Sequence, residues 1–314
     1  MRAVRCSEGR PLVTQVEAPT PRGRDEVVVR VAAAGICGSD LHMLGMGLGA
    51  TFGHEVAGLL PDGRPVAVEP IAPCGTCPAC VTGDAQRCVR GPAMVMGVGR
   101  DGGMAERCVV PSGAVVPLPS GISVADACLV EPLAVAVHGV RRAGLVGGER
   151  VAVVGGGTIG QVAAVAAQAA GAATVAVAAR HDRQREAAEQ LGAAAPTGEH
   201  DVVVEAAGTA SALAEAVRLC RPGGRVVLLA SYWDGAVELP AMEVTMKEVT
   251  LVPASMYGRV GPSRDIDAAA ALLAARPEVP AALITHRFPL DAAVEAFEVA
   301  ADRASGAIKV VLEP

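Results

Sequence analysis

Polar and apolar positions follow two rhythms along this chain. Up to about Pro119, short apolar runs alternate with polar residues and are cut by Gly and Pro. That period of two predicts strands, most clearly over residues 27–33, 65–69 and 105–110. From about Leu133 the pattern becomes apolar strand, glycine turn and Ala-rich helix, repeated. It predicts strands at 150–154, 174–178, 201–205, 225–230 and 249–252, and helices at 159–170, 183–191 and 211–219. Strands that alternate with helices build a parallel, doubly wound sheet. After Tyr257 come two further helices, 266–275 and 291–301, and a last strand, 307–312, which leave the alternation and read as a return to the first domain. The fold class is therefore α/β, with a β-rich domain beside a parallel sheet.

Composition narrows this picture. The chain has 314 residues, enough for two cores, and 51% of them are hydrophobic. Only one Trp, two Tyr and three Phe are present, so those cores must be packed from Ala, Val and Leu. The net charge is −6, and no basic run is interleaved with aromatics, which argues against a nucleic-acid partner. Uninterrupted apolar runs stay short of the ~18 residues of a membrane span. The first residues, MRAVRCSEGRP, lack an apolar signal core, so a cytoplasmic location is expected.

Nine cysteines in such a chain point to metal or chemistry before disulfides. Cys74, Cys77, Cys80 and Cys88 lie in APCGTCPACVTGDAQRC, where two-residue gaps and the turn formers Gly75 and Pro78 let the thiolates converge on one tetrahedral ion. Four sulfurs with no spare ligand describe a closed, structural zinc site. A second set begins at Cys37, 17 residues before His54 and Glu55, with Ser39, Asp40 and His42 just behind it. Thiolate, imidazole and carboxylate hold zinc in sites that keep a position open. Cys6, Cys108, Cys128 and Cys220 have no such company and read as packing residues.

A nucleotide site is written into VAVVGGGTIG. Gly155, Gly157 and Gly160, with Thr158 and Ile159, fall directly after a predicted strand and at the mouth of a predicted helix. The first glycine allows the turn, the second admits the pyrophosphate and the third lets helix and strand pack. NAD sites end the following strand with an acid. Here Ala179 stands in that place, followed by Arg180, His181, Arg183 and Arg185, a set suited to a 2′-phosphate. The expectation is NADP(H) in preference to NAD(H). The alternative is a solvated helix start with Asp182 as its cap.

Taken together, GICGSDLH, GHE, CGTCPAC with Cys88, GGMAE, LVEPLAVAVHG, GGGTIG, VEAAG and THRFPL resemble the zinc-dependent medium-chain alcohol dehydrogenases from end to end, nearest to the polyol branch of sorbitol, threonine and inosamine dehydrogenases. The resemblance implies a GroES-like catalytic domain, 1–132 with 256–314, split around a Rossmann dinucleotide-binding domain, 133–255. It makes Cys37 and His54 ligands of a catalytic zinc and Glu55 a ligand or exchangeable ligand. Glu131 would bind that zinc directly or through water, with Cys128 a nearby competitor. Asp40 would orient the His54 ring, Ser39 would hydrogen-bond the substrate oxygen, and His42 would pass the proton to solvent. Lys309 and Gly208 match positions beside the cofactor, Lys309 near its pyrophosphate. His138 and His286 remain structural.

The implied reaction is hydride transfer between a secondary alcohol, or the matching ketone, and NADP(H). Two zinc ions per chain, a small-molecule substrate such as a polyol, sugar or cyclitol, and a homodimer or homotetramer complete the expectation. A reductase for bulkier apolar ketones or aldehydes would use the same parts; a non-catalytic nucleotide-binding relic would lack Cys37, Ser39, His42 or His54. The span from Cys37 to His54 is short for the family, and Met43 and Met104 replace aromatics, which suggests an open or apolar pocket. Tyr232 and Trp233 face the nicotinamide, a neighbouring subunit or merely their own loop.

Overall fold

The longest strand of the first unit, Glu26–Ile36, organises everything around it. In the computed structural model, which describes residues 1–233 and 235–314, the chain divides into two compact units, Met1–Glu131 with Gly258–Pro314, and Pro132–Tyr257. Glu26–Ile36 pairs antiparallel with three strands of the first unit: Arg107–Pro111 along its first half, Glu55–Leu59 along its second, and Lys309–Glu313 at its end. Pro65–Val68 and Val115–Pro117 extend the sheet on one side, and Ile284–Pro289 adds a parallel strand on the other. The last segments of the chain thus share a sheet with the first.

One register pair in this sheet positions chemistry. Gly35 lies opposite Glu55, and a Cβ on Gly35 would stand 2.0 Å from the Glu55 carboxylate oxygen. Only glycine lets that buried carboxylate lie flat against the neighbouring strand. Beneath the sheet, Val29, Val31, Val56, Val68, Met96 and Phe52 form a core completed by Phe297, whose ring meets that of Phe52 edge to face at 6.0 Å. Phe297 lies on the helix Ala293–Ala301, so the C-terminal segment supplies both a strand and a lid for this core.

Met43 and Met104 belong to the same core, 3% and 0% exposed. Met104 donates its amide to the Phe52 carbonyl and sits against Gly53. Both methionines are spent on packing, because each falls on a stretch whose inner face is the sheet.

The second unit is a five-stranded parallel sheet in the order Thr250–Pro253, Cys220–Leu228, His200–Glu205, Arg150–Val154, Thr174–Ala178. Its strands are near-continuous Val and Ala, as parallel strands covered on both faces require. The chain leaves Arg150–Val154 for one neighbour and then crosses to the other, which places a topological switch point at the carboxyl end of that strand. The helices Thr158–Ala169, Asp182–Gln190 and Ala210–Leu219 follow the strands, each within a residue or two of the expected bounds. Among the described residues, no helix is long and apolar enough to cross a membrane.

Candidate active site

Cys37 directly follows the central strand of the first unit and caps the short helix Gly38–Met43. Its amide donates to Asp40 Oδ2 at 2.9 Å, and the Asp40 amide returns a bond to the Cys37 carbonyl at 3.0 Å. This reciprocal cap holds the thiol and the carboxylate in fixed relation. Asp40 is fully buried, and burial pushes its carboxyl above the usual range. Its Oδ1 lies 3.5 Å from His54 Nδ1, too long for a good hydrogen bond, and both atoms are buried without a partner. With Nδ1 turned to the acid, Nε2 is the nitrogen left for a metal, and it lies 3.4 Å from the Ser39 hydroxyl.

The donor atoms of Cys37, His54 and Glu55 lie within 4.8 Å of one another, so one ion can be shared among them. Burial alone would strip His54 of charge; Asp40 first, then Cys37 and Glu131, instead lift its imidazole well above the ordinary value. A pocket negative enough to hold an imidazolium is a pocket that suits a divalent cation. Sulfur, nitrogen and oxygen donors in that number fit zinc with a position to spare.

Glu55 has a second partner. Lys309, 2% exposed, places Nζ 2.7 and 2.5 Å from the two Glu55 oxygens and donates to the Ile36 carbonyl at 3.0 Å. Burial opposes the lysine's charge, but Glu55 and Cys37 outweigh it and keep its pKa raised. Lys309 is thus the buried counterion of a metal-site carboxylate, reached because the last strand lies beside the central one. The reading that turned it toward a pyrophosphate is corrected: its ammonium is already held by Glu55.

Glu131 and Cys128 do not join the converging group. Glu131 is buried in the first turn of the helix Val130–Ala143, close enough to His54 to raise its pKa. Cys128 packs with Ala33 and Val311, and burial pushes its thiol up to about 12, far from a ligand thiolate. His42 is exposed on the last turn of Gly38–Met43.

The second cluster is local. The sulfurs of Cys74, Cys77, Cys80 and Cys88 also converge within 4.8 Å. Pro78 starts a single helical turn with Cys77 as its cap. The Cys77 amide donates to the Cys74 sulfur and the Cys74 amide to the Cys88 sulfur, each at 3.3 Å. Backbone N–H groups at Thr76 and Cys77 hold the Cys74 thiol down to about 5, whereas burial and the Cys77 sulfur push Cys80 up to about 12. Four such sulfurs cannot all ionise side by side without a cation, so the set fits a structural zinc.

In the second unit the glycine turn has the shape a pyrophosphate needs. Gly155 has φ +114°, and a Cβ on Gly160 would stand 1.8 Å from the Gly155 carbonyl oxygen. A Cβ on Gly157 would meet nothing within 4 Å, so packing does not explain that glycine, whereas an approaching ligand does. Thr158 and Ile159 begin the helix behind it.

Two residues here escaped sequence reasoning. Gln161, fully buried, donates to the Gly156 and Gln184 carbonyls at 3.1 and 2.8 Å and ties the turn to the next helix. Glu205 accepts the Ala207 and Gly208 amides at 2.8 Å each and the Tyr232 hydroxyl at 2.7 Å, shaping the loop that contains Gly208. A lone glutamine in an Ala/Val helix and an acid ending an apolar strand were the available signals. Tyr232 is thereby tied to the end of the neighbouring strand His200–Glu205, and burial and Glu205 raise its pKa.

His181, not Asp182, caps the helix Asp182–Gln190. Arg185 is folded back: its guanidinium donates to the Ala179 and Arg180 carbonyls at 3.2 and 2.7 Å and pairs with Asp182. Arg183 pairs with Glu186 at 3.4 Å. Arg185 therefore props the turn, which corrects its reading as a free phosphate ligand; Arg180 instead donates to the Ser211 hydroxyl at 3.2 Å.

A β-rich unit with an open N/O/S metal set and a doubly wound unit with a dinucleotide turn define a metal-assisted, nucleotide-dependent oxidoreductase. The alcohol dehydrogenase GroES-like domain matches residues 23–120, and the glucose dehydrogenase C-terminus matches 125–313. L-Galactonate-5-dehydrogenase of Escherichia coli (strain K12) is 32% identical over 95% of this chain and 94% of its own. A zinc-binding dehydrogenase of Sinorhizobium meliloti 1021, solved bound to NADP, superposes with a TM-score of 0.85 at 30% identity, covering 100% of this chain and 99% of that one. An alcohol dehydrogenase of Escherichia coli CFT073, complexed with NADH, gives a TM-score of 0.88 at 26% identity, with 100% and 99% coverage. The chain belongs to the zinc-dependent medium-chain alcohol dehydrogenase family, in its polyol branch.

Proposed function

We propose that this dehydrogenase moves a hydride between NADP(H) and a secondary alcohol, or the matching ketone, of a polyol, sugar or cyclitol. The observation that carries the reading is the convergence of Cys37, His54 and Glu55 with the Ser39 hydroxyl 3.4 Å from His54. When bound, zinc supplies Lewis acidity toward the substrate oxygen and the nicotinamide exchanges the hydride.

The chain's own residues do the rest. Cys37 and His54 Nε2 would hold the ion, and Glu131 would join them directly or through water. Asp40 keeps the His54 ring in one orientation through its 3.5 Å approach to Nδ1. Ser39 accepts the proton of the substrate hydroxyl, and exposed His42 releases it to solvent. Glu55, balanced by Lys309, would be a further, exchangeable ligand of that ion. On the cofactor side Gly155, Gly157 and Gly160 admit the pyrophosphate, Gly208 lines the same site, and Arg180 and His181 face the 2′-phosphate that Ala179 does not repel. The sugar-acid activity in the name of the Escherichia coli relative and the NADP bound to the Sinorhizobium structure favour this choice of substrate class and cofactor. We place the enzyme in the cytoplasm, as a homodimer or homotetramer.

The test is a panel of linear polyols, sugar acids, cyclitols and simple secondary alcohols assayed with NADP⁺ and with NAD⁺. Turnover confined to hydroxyl-rich substrates, with higher kcat/KM for NADP⁺, is expected. A clear preference for NAD⁺, or for simple apolar alcohols, would refute the corresponding half of the proposal.

A further inference from the structure

Arg180 and Ser211 come from opposite sides of the switch point. Arg180 follows the strand Thr174–Ala178, and Ser211 opens the helix after His200–Glu205. Those two strands flank Arg150–Val154. Their 3.2 Å hydrogen bond therefore spans the crevice at the carboxyl end of the strand that leads into the glycine turn.

The partners on each side are fixed differently. The Ser211 hydroxyl is 3.2 Å from Thr209 Oγ1, which in turn accepts the Ala212 amide at 3.2 Å, so the hydroxyl is anchored in its helix start. Arg183 and Arg185 are neutralised by Glu186 and Asp182. Among the described residues of this Arg cluster, Arg180 alone makes no ion pair, and its partner is neutral. Ala179 packs on the glycine turn, its Cβ 2.6 Å from where a Cβ on Gly156 would lie, so the position an acid would take is filled by a methyl group. The crevice thus presents one uncompensated guanidinium, steered by one hydroxyl.

We propose that Ser211 is a positioning residue for cofactor choice: it holds Arg180 across the crevice, where that guanidinium meets the 2′-phosphate of NADP(H). A hydroxyl can hand Arg180 over to a dianion without competing for its charge, which a carboxylate at 211 could not. This rests on the NADP(H) reading above, and extends it to a residue some thirty positions from the Arg cluster.

The experiment measures NADP⁺ and NAD⁺ binding by calorimetry on the full-length, zinc-loaded chain, together with kcat and KM. Ser211→Ala should weaken NADP⁺ about three- to tenfold, the size of one ordinary net hydrogen bond. Ser211→Asp should weaken it more, by about fiftyfold, while NAD⁺ moves less than about twofold. KM for NADP⁺ should rise with little change in kcat. In an Arg180→Ala background, Ser211→Ala should add nothing, because the two act as one unit. Equal loss of both cofactors, or additive effects of the two substitutions, would overturn the proposal. A wild-type chain without NADP⁺ preference would end the cofactor reading itself, whereas NADP⁺ preference untouched by either Ser211 variant would sink only the role of Ser211. Thermal melts of the milder Ser211→Ala variant separate misfolding from lost recognition.

Discussion

The two metal sets of the first unit are built on opposite plans. Cys74, Cys77, Cys80 and Cys88 sit within one short loop, and their sulfurs are gathered by single turns and backbone N–H groups. Cys37, His54 and Glu55 come from a strand end and a neighbouring strand, and their surroundings are completed by Lys309 from the far end of the chain. The first set is homogeneous and closed. The second mixes donor types and carries buried Asp40 and Lys309. A loop can hold an ion for stability by itself; a site meant to bind an ion and a reactant needs partners that only a sheet can hold at fixed spacing.

Removing a donor from each set breaks the comparison most sharply. Cys37→Ala should lower kcat/KM by at least about a thousandfold, since several kcal/mol of transition-state stabilisation depend on the ion. Metal analysis should then count one zinc per chain in place of two. Lys309→Met leaves Glu55 buried without its counterion and should cost about 3–5 kcal/mol in chemical denaturation. A change under about 1 kcal/mol would show that Glu55 is neutralised by something else. Ser39→Ala should reduce kcat by about a hundredfold with KM little changed, the range of a single proton-transfer group. His42→Asn should lose less, about tenfold, because solvent can replace an exposed relay. Smallest on chemistry is Cys88→Ser: it should release the second zinc and lower Tm, yet change kcat of the folded fraction by less than about tenfold. A loss matching that of Cys37→Ala would show that the loop set also shapes catalysis.

How legible each feature was follows from how local it is. All five strands of the parallel sheet and the helices Thr158–Ala169, Asp182–Gln190 and Ala210–Leu219 are set by period and by glycine turns and were expected, although Cys220–Leu228 begins five residues before its expected start and the short helix Ala241–Met246 was not foreseen. The N-terminal hairpin, Arg2–Ser7 with Arg10–Gln15, and the strand Ile284–Pro289 escaped, because polar and charged residues dilute their alternation. Arg185 looked like a phosphate ligand because charge counts cannot tell whether a guanidinium reaches outward or folds onto carbonyls one turn away. That Met43 and Met104 belong to the core was not legible for a similar reason: which face of a short segment turns inward is decided by the sheet beneath it.

What the sequence determined by itself is whatever short-range geometry enforces: the four-sulfur loop, the glycine turn after an apolar strand, the alternation that makes a parallel sheet, and the donor types at 37, 54 and 55. What only the tertiary structure decided is which distant groups meet. Lys309 was sent to Glu55 because the last strand docks beside the central one and Gly35 clears the space, and Arg180 was sent to Ser211 because the strand order sets their two loops on either side of a third strand. Charge and residue type fix what a side chain can do; the register of a sheet fixes what it does it to.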